Sequence, residues 1–169
     1  MELSKADLCG VDFSGVELDE ANLFETLLIG ADISQAYLVD SNFQKANLGG
    51  ANLFGSNLDG ADFRYANLAK VDLSEASLCG AKLEGADLGA RSDFTEADFS
   101  GADLKDANMK MGQFADAILK GANLKGADLS EAEDLTCSQV QSATIDRNTK
   151  LPSNLCIEWN PDDTFQCLG

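Results

Sequence analysis

The side chains that could perform catalysis or hold a metal ion are few in kind in this sequence. The chain has 169 residues and no histidine, which excludes Ser-His and Cys-His nucleophile pairs and any histidine metal site. Its five cysteines lack the paired Cys-x-x-Cys spacing of a zinc site. Carboxylates are abundant, but they recur in register with a repeat, which predicts that they bond to nearby backbone. We therefore predict a protein that is not an enzyme and that uses no cofactor and no metal.

The cysteines could instead form a disulfide. Cys9 and Cys79 lie too far apart in the repeat to meet and are predicted to be free thiols, because bridged Cα atoms lie within about 7 Å. Cys137, Cys156 and Cys167 crowd the C-terminal segment. There Cys156 and Cys167 are the candidate pair, closing a small loop, and three reduced cysteines are the equal alternative.

A five-residue repeat positions nearly all of these side chains. A large apolar residue, which we call the centre of each unit, recurs every five residues from Leu3 to Leu88. After one inserted residue near 89–92 it resumes from Phe94 to Leu129. A small residue, mostly Ala, lies two positions before each centre, and the position between them is mostly Asp or Asn. Of the 15 glycines, 11 lie two positions after a centre.

This period predicts a chain that turns every five residues. Five matches neither the 3.6-residue period of a helix nor the two-residue period of a strand. If each unit is one side of a square, centre and small residue point inward, and four units close a coil of about 20 residues. Coils stacked at about 4.8 Å would bury a column of Leu and Phe walled by Ala. The glycines would lie at the corners, where backbone angles are most demanding.

These units resemble those of the pentapeptide-repeat family. Units 6–10 (Ala-Asp-Leu-Cys-Gly) and 122–126 (Ala-Asn-Leu-Lys-Gly) show the repeating pattern. The resemblance implies an all-β fold, a right-handed quadrilateral parallel β-helix, here over residues 1–133. The best understood members are quinolone-resistance proteins that imitate DNA and bind type II topoisomerases. Others occur in photosynthetic bacteria and thylakoid lumens.

Residues 134–169 depart from the repeat and are predicted to form a C-terminal cap helix and tail. Thr136 followed three residues later by Gln139 is a capping-box signature. A short helix from there would cover the open last coil, which solenoids must close with a polar-faced end piece. Residues 155–159 alternate like a strand. The tail is expected to pack on the solenoid.

The charge of the chain limits its partners. The net charge of −17 argues against direct binding of nucleic acid or acidic membranes and favours a protein partner that is basic. Residues 1–135 hold 25 acidic and 10 basic residues over roughly 31 Å of stacked coils. That is one net negative charge per about 2 Å, against one per about 1.7 Å on duplex DNA. A DNA mimic that binds gyrase or topoisomerase IV is therefore the alternative to a binding or scaffold module.

Two sets of outward residues are the predicted partner-binding surface. Folding the sequence by 20 stacks four aspartates on one face, with Asn52 among them: Asp12, Asp32, Asp72 and Asp93. The second coil carries apolar residues where the repeat expects polar ones: Phe24, Leu27, Ile29, Tyr37 and Val39. Such a group is typical of an interaction surface. A homodimer through the open N-terminal edge is also possible.

The compartment follows from whether a leader preceded this sequence. The N-terminal residues contain no apolar run of signal-peptide length, so the chain as given is expected in the cytoplasm. The periplasm or a thylakoid lumen is the alternative if a leader was removed and the C-terminal cysteines pair.

Overall fold

The computed structural model describes residues 1–168 and consists mainly of stacked 20-residue coils. The residue before each centre forms a parallel bridge to the residue 20 positions later, as in Glu2 with Asn22 and Asn22 with Asn42. The backbone N–H of each centre donates to a carbonyl of the next coil, as from Leu3 to Asn22 at 2.8 Å. The fold is a right-handed quadrilateral β-helix, as predicted. No helix among the described residues is long and apolar enough to cross a membrane.

The four sides of the square define four faces, which we name A to D in chain order. Face A begins at Glu2, face B at Asp7, face C at Asp12 and face D at Glu17, and each continues through its own ladder of bridges. Faces A and C lie on opposite sides of the solenoid, as do faces B and D. We call residues 1–20 coil one and residues 21–40 coil two.

The centres form one continuous core. From Leu18 to Leu129 every centre is buried, and Ala occupies most of the small positions beside them. The rings of Phe43 and Phe63 stack with their centroids 4.6 Å apart. Centres of successive coils therefore touch along the axis, and small partners leave them room.

The corners require left-handed backbone. The eleven glycines predicted there all have positive φ, and most other residues at the same position do too, including Tyr65 at 60°. Each corner is closed by a hydrogen bond from the next small residue to the centre, as from Ala6 N to Leu3 O at 3.2 Å. A positive φ at the third residue is the signature of a type II turn. The backbone imposes the conformation even where the side chain disfavours it.

The one-residue insertion is absorbed at a single corner. Asp72 bridges Asp93, 21 positions later, and the 20-residue spacing returns between Asp93 and Gln113. Ala90 and Arg91 both take positive φ there. Ser92 then enters the wall of the core, where its hydroxyl donates to Gly89 O at 3.1 Å. The ladders on either side are undisturbed.

The C-terminal end is closed by a short helix, α1 (Cys137–Ser142). Thr136 is its N-cap and forms the predicted capping box with Gln139. The Gln139 amide donates to two carbonyls of the last full coil, those of Phe114 at 2.8 Å and Ala117 at 2.9 Å. Val140 is fully buried against the core. The cap therefore covers the apolar end of the core and supplies hydrogen-bond donors to backbone carbonyls there.

The repeat itself extends past the helix. Residue 133 was predicted as the last of the β-helix, but Thr144 bridges Asn123 and Lys150 bridges Asp128. Helix α1 thus replaces one side of a coil, and the chain then rejoins faces A and B. Beyond it lie two antiparallel strands, β1 (Cys156–Trp159) and β2 (Phe165–Leu168). Ile157, Trp159 and Phe165 pack against the core, as expected for the tail.

The disulfide differs from the sequence prediction. Cys137 of α1 bonds Cys167 of β2, with Cα atoms 5.3 Å apart, and Cys156 is a free, exposed thiol. The predicted pair of Cys156 and Cys167 is wrong because of strand register. Cys167 lies opposite Ile157 and Cys156 lies opposite Leu168. Neighbours along a strand point to opposite faces, so Cys167 faces inward while Cys156 faces away from it.

Gly112 offers a test of core packing. A Cβ on Gly112 would lie 2.5 Å from Cε2 of Phe94. We expect Gly112→Ala to lower the free energy of unfolding by about 1 to 3 kcal/mol, because the core cannot accept the methyl group without displacing the ring. Gly49→Ala is the matched control, since its Cβ would meet nothing closer than 3.4 Å. Urea denaturation of both variants checks this, and equal stabilities would contradict it.

Candidate functional site

Charge is concentrated at the N-terminal end of the solenoid. Coils one and two hold nine acidic residues and one basic residue, a net charge of −8, against −17 for the whole chain. The basic residue, Lys5, lies 3.8 Å from Glu25 of coil two. An approaching cation is therefore drawn toward this end.

The predicted aspartate column exists on face C. Asp12, Asp32, Asn52, Asp72 and Asp93 are joined by successive parallel bridges. Each carboxylate also accepts a hydrogen bond from the backbone N–H two residues later, at 2.9 to 3.1 Å. This is the backbone bonding predicted from the repeat. The aspartates thus hold the turn and remain exposed or partly exposed.

Face C is where carboxylates stack without a donor between them. Elsewhere an Asn commonly separates acidic residues and donates to the coil before it, as Asn123 does to Asp103 at 2.8 Å. Among the bridges of residues 1–168, two join a pair of aspartates, and both lie on face C: Asp12 with Asp32, and Asp72 with Asp93. Like charges directly opposite are unfavourable unless neutralised. Ser14 Oγ donates to Asp12 at 2.7 Å and the Asn52 amide donates to Asp32 at 3.1 Å, and these bonds offset part of the repulsion. An external cation at face C would neutralise the remainder.

The apolar residues of coil two do not form one surface. Phe24 lies on face A, where the Lys45 ammonium is 5.7 Å from its ring centroid. Leu27 and Ile29 lie on face B, while Tyr37 and Val39 lie on the opposite face D. Leu27, Ile29 and Tyr37 are 40%, 46% and 51% exposed, and the other two are half-buried. A rigid partner cannot contact all five, so the set divides by face.

A groove of about 500 Å³ runs along the corner between faces C and D. It exists because Gly15 and Gly55 carry no side chains. The side chains that line it come from three coils: Gln35, Ala36, Tyr37, Phe54, Asn57 and Glu75. Two aromatic rings and a carboxylate can hold an Arg or Lys side chain by cation–π and ionic contact. Sequence reasoning identified Tyr37 and missed Phe54 and Glu75. The available signal was an aromatic residue at an outward position beside a corner glycine.

The thiols of Cys9 and Cys79 are poorly suited to nucleophilic chemistry. Burial raises the pKa of Cys79, and a hydrogen bond with Asp7 raises the pKa of Cys9. Both cysteines are protonated at neutral pH, and the thiolate is the reactive form. Within residues 1–168 no group of three or more His, Cys, Asp or Glu could hold a metal ion. In that same part of the chain, every buried side-chain polar atom has a hydrogen-bond partner.

Asp128 makes stability depend on pH at the C-terminal end. Partial burial raises the pKa of Asp128. Hydrogen bonds from Lys150 at 2.8 Å and from Ser130 outweigh this effect and lower the pKa to about 2. A carboxyl with a depressed folded pKa stabilises the protein above its unfolded pKa of about 3.9 and loses that contribution as pH falls toward 2. We expect Asp128→Asn to lose less stability than wild type between pH 5 and 2 in acid denaturation. Equal losses would contradict this.

The coil geometry and the repeat define a protein class. A protein made of stacked square coils is a solenoid, and its outward side chains are the ones that can contact other molecules. The chain matches the family described as Pentapeptide repeats, in eight copies, over residues 2–28, 21–60, 56–89, 90–110 and 113–144. It therefore belongs to the pentapeptide-repeat family. No curated protein sequence matches it.

The chain is also similar to several solved structures. One is HetL from the cyanobacterium Nostoc sp. strain PCC 7120, a pentapeptide repeat protein involved in heterocyst differentiation regulation. It is 26% identical to this chain; the match covers 89% of this chain and 72% of HetL, with a TM-score of 0.40. The protein alr5209 from Nostoc PCC 7120 is 27% identical, with coverages of 68% and 84% and a TM-score of 0.43. QnrB1, a plasmid-mediated fluoroquinolone resistance protein, is 22% identical, with coverages of 87% and 82% and a TM-score of 0.33. The family assignment depends on the repeats rather than on these superpositions.

Proposed function

We propose that this protein is a non-enzymatic binding module that captures a basic protein through face C and the adjoining groove. The observation that carries the proposal is the stacking of Asp12 on Asp32 beside that groove, with no basic residue between them. A partner that inserts an Arg or Lys would neutralise these carboxylates and bury Tyr37 and Phe54. Aromatic anchors surrounded by charge are typical of protein interfaces.

Two double variants on opposite faces test the proposal. Tyr37→Ser with Phe54→Ser removes the aromatic walls of the groove, whereas Leu27→Ser with Ile29→Ser removes a similar exposed apolar area from face B. Cross-linking and affinity capture from the source cell should recover a basic partner with wild type and with the face B variant, and should lose it with the groove variant. Melting temperatures confirm that both variants fold. Loss of the partner with the face B variant alone would overturn the assignment.

DNA mimicry is the second candidate function. It is favoured by the net negative charge per unit length of the solenoid, which approaches that of duplex DNA. The aspartates that repeat along face C also favour it. A mimic should inhibit gyrase supercoiling at low salt and lose the effect as ionic strength rises, because exposed charges are screened. No inhibition at a large molar excess over gyrase would exclude this candidate.

We further propose that the protein functions in an oxidising compartment such as a periplasm or a thylakoid lumen. The pairing of Cys137 with Cys167 supports this, because disulfides persist in such compartments and are rare in the cytosol. Alkylation of free thiols at the moment of cell lysis, followed by mass spectrometry, should leave these two cysteines unmodified. Full alkylation of both would place the protein in a reducing compartment.

A further inference from the structure

A separate cleft lies between face A of the solenoid and the tail hairpin formed by β1 and β2. Its volume is about 500 Å³, which is within the usual range of small-molecule sites. Lys125 and residues 144–148 form the solenoid wall, and Trp159 and Asp163 form the hairpin wall. The cleft is at the turn end of the hairpin, where Trp159 pairs with Phe165. It shares no residue with the groove beside Tyr37.

Arg147 connects the two walls of the cleft. Its guanidinium carbon is 5.1 Å from the centre of the Trp159 ring, and the same group donates to Asp163 at 3.1 Å. The Trp159 ring lies 5.5 Å from the ring of Phe165, and both rings pack against the core. The indole therefore has a fixed position, and the cleft is formed without a ligand, as most small-molecule sites are.

The two carboxylates of the cleft are already bonded within the protein. Asp146 accepts hydrogen bonds at 3.0 Å from three backbone N–H groups, those of Gly126, Asn148 and Thr149. Asp163 accepts two hydrogen bonds from the Arg147 guanidinium, which offsets its charge. Their attraction for a cationic ligand is correspondingly reduced, because charge-assisted hydrogen bonds are already made.

The donors of the cleft, in contrast, have unused capacity. Within residues 1–168, the Lys125 ammonium forms no ion pair or hydrogen bond, and neither the Trp159 indole N–H nor the Thr144 hydroxyl donates to an acceptor. The indole N–H is open to solvent, because every buried side-chain polar atom in that part of the chain has a partner. Arg147 adds the N–H groups that Asp163 does not bind. A ligand rich in acceptors would satisfy these groups.

The cleft also has an apolar surface. Ile145 occupies the position of a centre on face A and is only 7% exposed, and it lines the cleft together with the Trp159 ring. Apolar walls with a few convergent polar groups are the usual composition of a small-molecule site. A ligand that matches both parts carries an anionic group on a flat apolar body.

We propose that this cleft binds a small aromatic oxyanion, a carboxylate or phosphate group carried on a planar ring. The oxyanion accepts hydrogen bonds from Lys125 and the Trp159 indole, while the ring covers Ile145. The net charge of −17 opposes the approach of an anion, but at physiological salt it is screened beyond about 8 Å. The site goes beyond the proposed capture of a basic protein, because it takes a ligand of opposite charge on a different surface.

Intrinsic fluorescence provides the test, because Trp159 is the single tryptophan of the chain. Phenyl phosphate and benzoate are the probes, benzyl alcohol controls for the ring alone, and inorganic phosphate controls for the charge alone. At least one of the two probes should change the Trp159 emission saturably and bind about tenfold more tightly than either control. Amide shifts on binding should be confined to residues 144–148, Lys125 and the hairpin.

Two lysine variants identify the anion-binding group. Lys125→Gln should weaken binding of the probe by about tenfold, because a charge-assisted hydrogen bond is lost. Lys120→Gln is the matched control and should weaken it by less than about twofold. Lys120 is also exposed and has no ion pair in the described chain, but it lies on face D. Both substitutions are at exposed positions, and melting temperatures check that both variants fold.

Several outcomes would overturn the inference. Equal losses in the two lysine variants would mean general attraction to cations on the surface. Equal affinity for benzyl alcohol would assign the cleft to uncharged apolar ligands, and equal affinity for inorganic phosphate would leave an anion site without preference for a ring. Unchanged emission and unchanged amide shifts with both probes would show that the cleft binds neither. The Tyr37→Ser and Phe54→Ser variant should bind the probe like wild type, so each proposal can fail without the other.

Discussion

Replacing Phe63 with alanine is expected to lower the free energy of unfolding by about 3 to 5 kcal/mol. The ring is fully buried and stacks on Phe43 at 4.6 Å, nearly parallel to it. Removing it leaves a cavity in a column only one side chain wide. The coils on either side cannot collapse into that cavity, because their spacing is held by backbone ladders. Urea denaturation followed by circular dichroism measures the loss.

Phe24→Ala is the matched control for this prediction. Phe24 lies on the same face of the solenoid but points outward, where it is half-buried beneath Lys45. Its truncation removes a partly exposed cation–π contact and is expected to cost about 1 kcal/mol. If both variants lost the same stability, the centres would not be the main source of cohesion in this solenoid.

Removing the disulfide is expected to produce the second large effect. Cys137 and Cys167 are separated by 30 residues. A cross-link closing a loop of that length lowers the entropy of the unfolded chain and so raises the free energy of unfolding by about 3 to 4 kcal/mol. Cys137→Ser with Cys167→Ser should release β2 from α1. Because a solenoid is stabilised by contacts between neighbouring coils, the loss should concentrate at the C-terminal end. Hydrogen exchange should show reduced protection of the β1 and β2 amides and little change near Phe63.

Cys156→Ser separates this effect from general cysteine loss. Cys156 is exposed and forms no disulfide, so its replacement should leave both stability and exchange unchanged. Peptide mapping of the oxidised protein should recover the cross-link between Cys137 and Cys167 in this variant. A cross-link between Cys156 and Cys167 in wild type would contradict the observed strand register.

The repeat made most of the fold predictable from the residues alone. A large apolar residue every fifth position, with a small residue two before it, is consistent with a chain that turns at each unit, and every ladder from Glu2 to Glu133 follows this pattern. The one-residue insertion, the capping box at Thr136 and the positive φ of the corner glycines were also predicted correctly. Each of these depends on contacts close in sequence or on strict periodicity.

The candidate site was predicted only in part. Stacking of Asp12 on Asp32 follows from counting by 20, but the division of the coil-two residues among three faces requires the orientation of each side of the square. The groove beside Tyr37 depends on what surrounds it in space. Phe54 and Glu75 come from the next two coils, and Gly15 lies in the coil before. No local pattern joins residues that lie so far apart in the chain.

The sequence by itself determined the coil, its core and its charge, because one five-residue rule repeats at each step and leaves a single way to bury the apolar residues. The tertiary structure alone decided how the C-terminal end is closed. Strand register in the tail selected Cys137 rather than Cys156 as the partner of Cys167. Packing of α1 on the last coil closed the C-terminal end. Both outcomes depend on non-repeating segments, whose positions are set by contacts with distant coils rather than by periodicity.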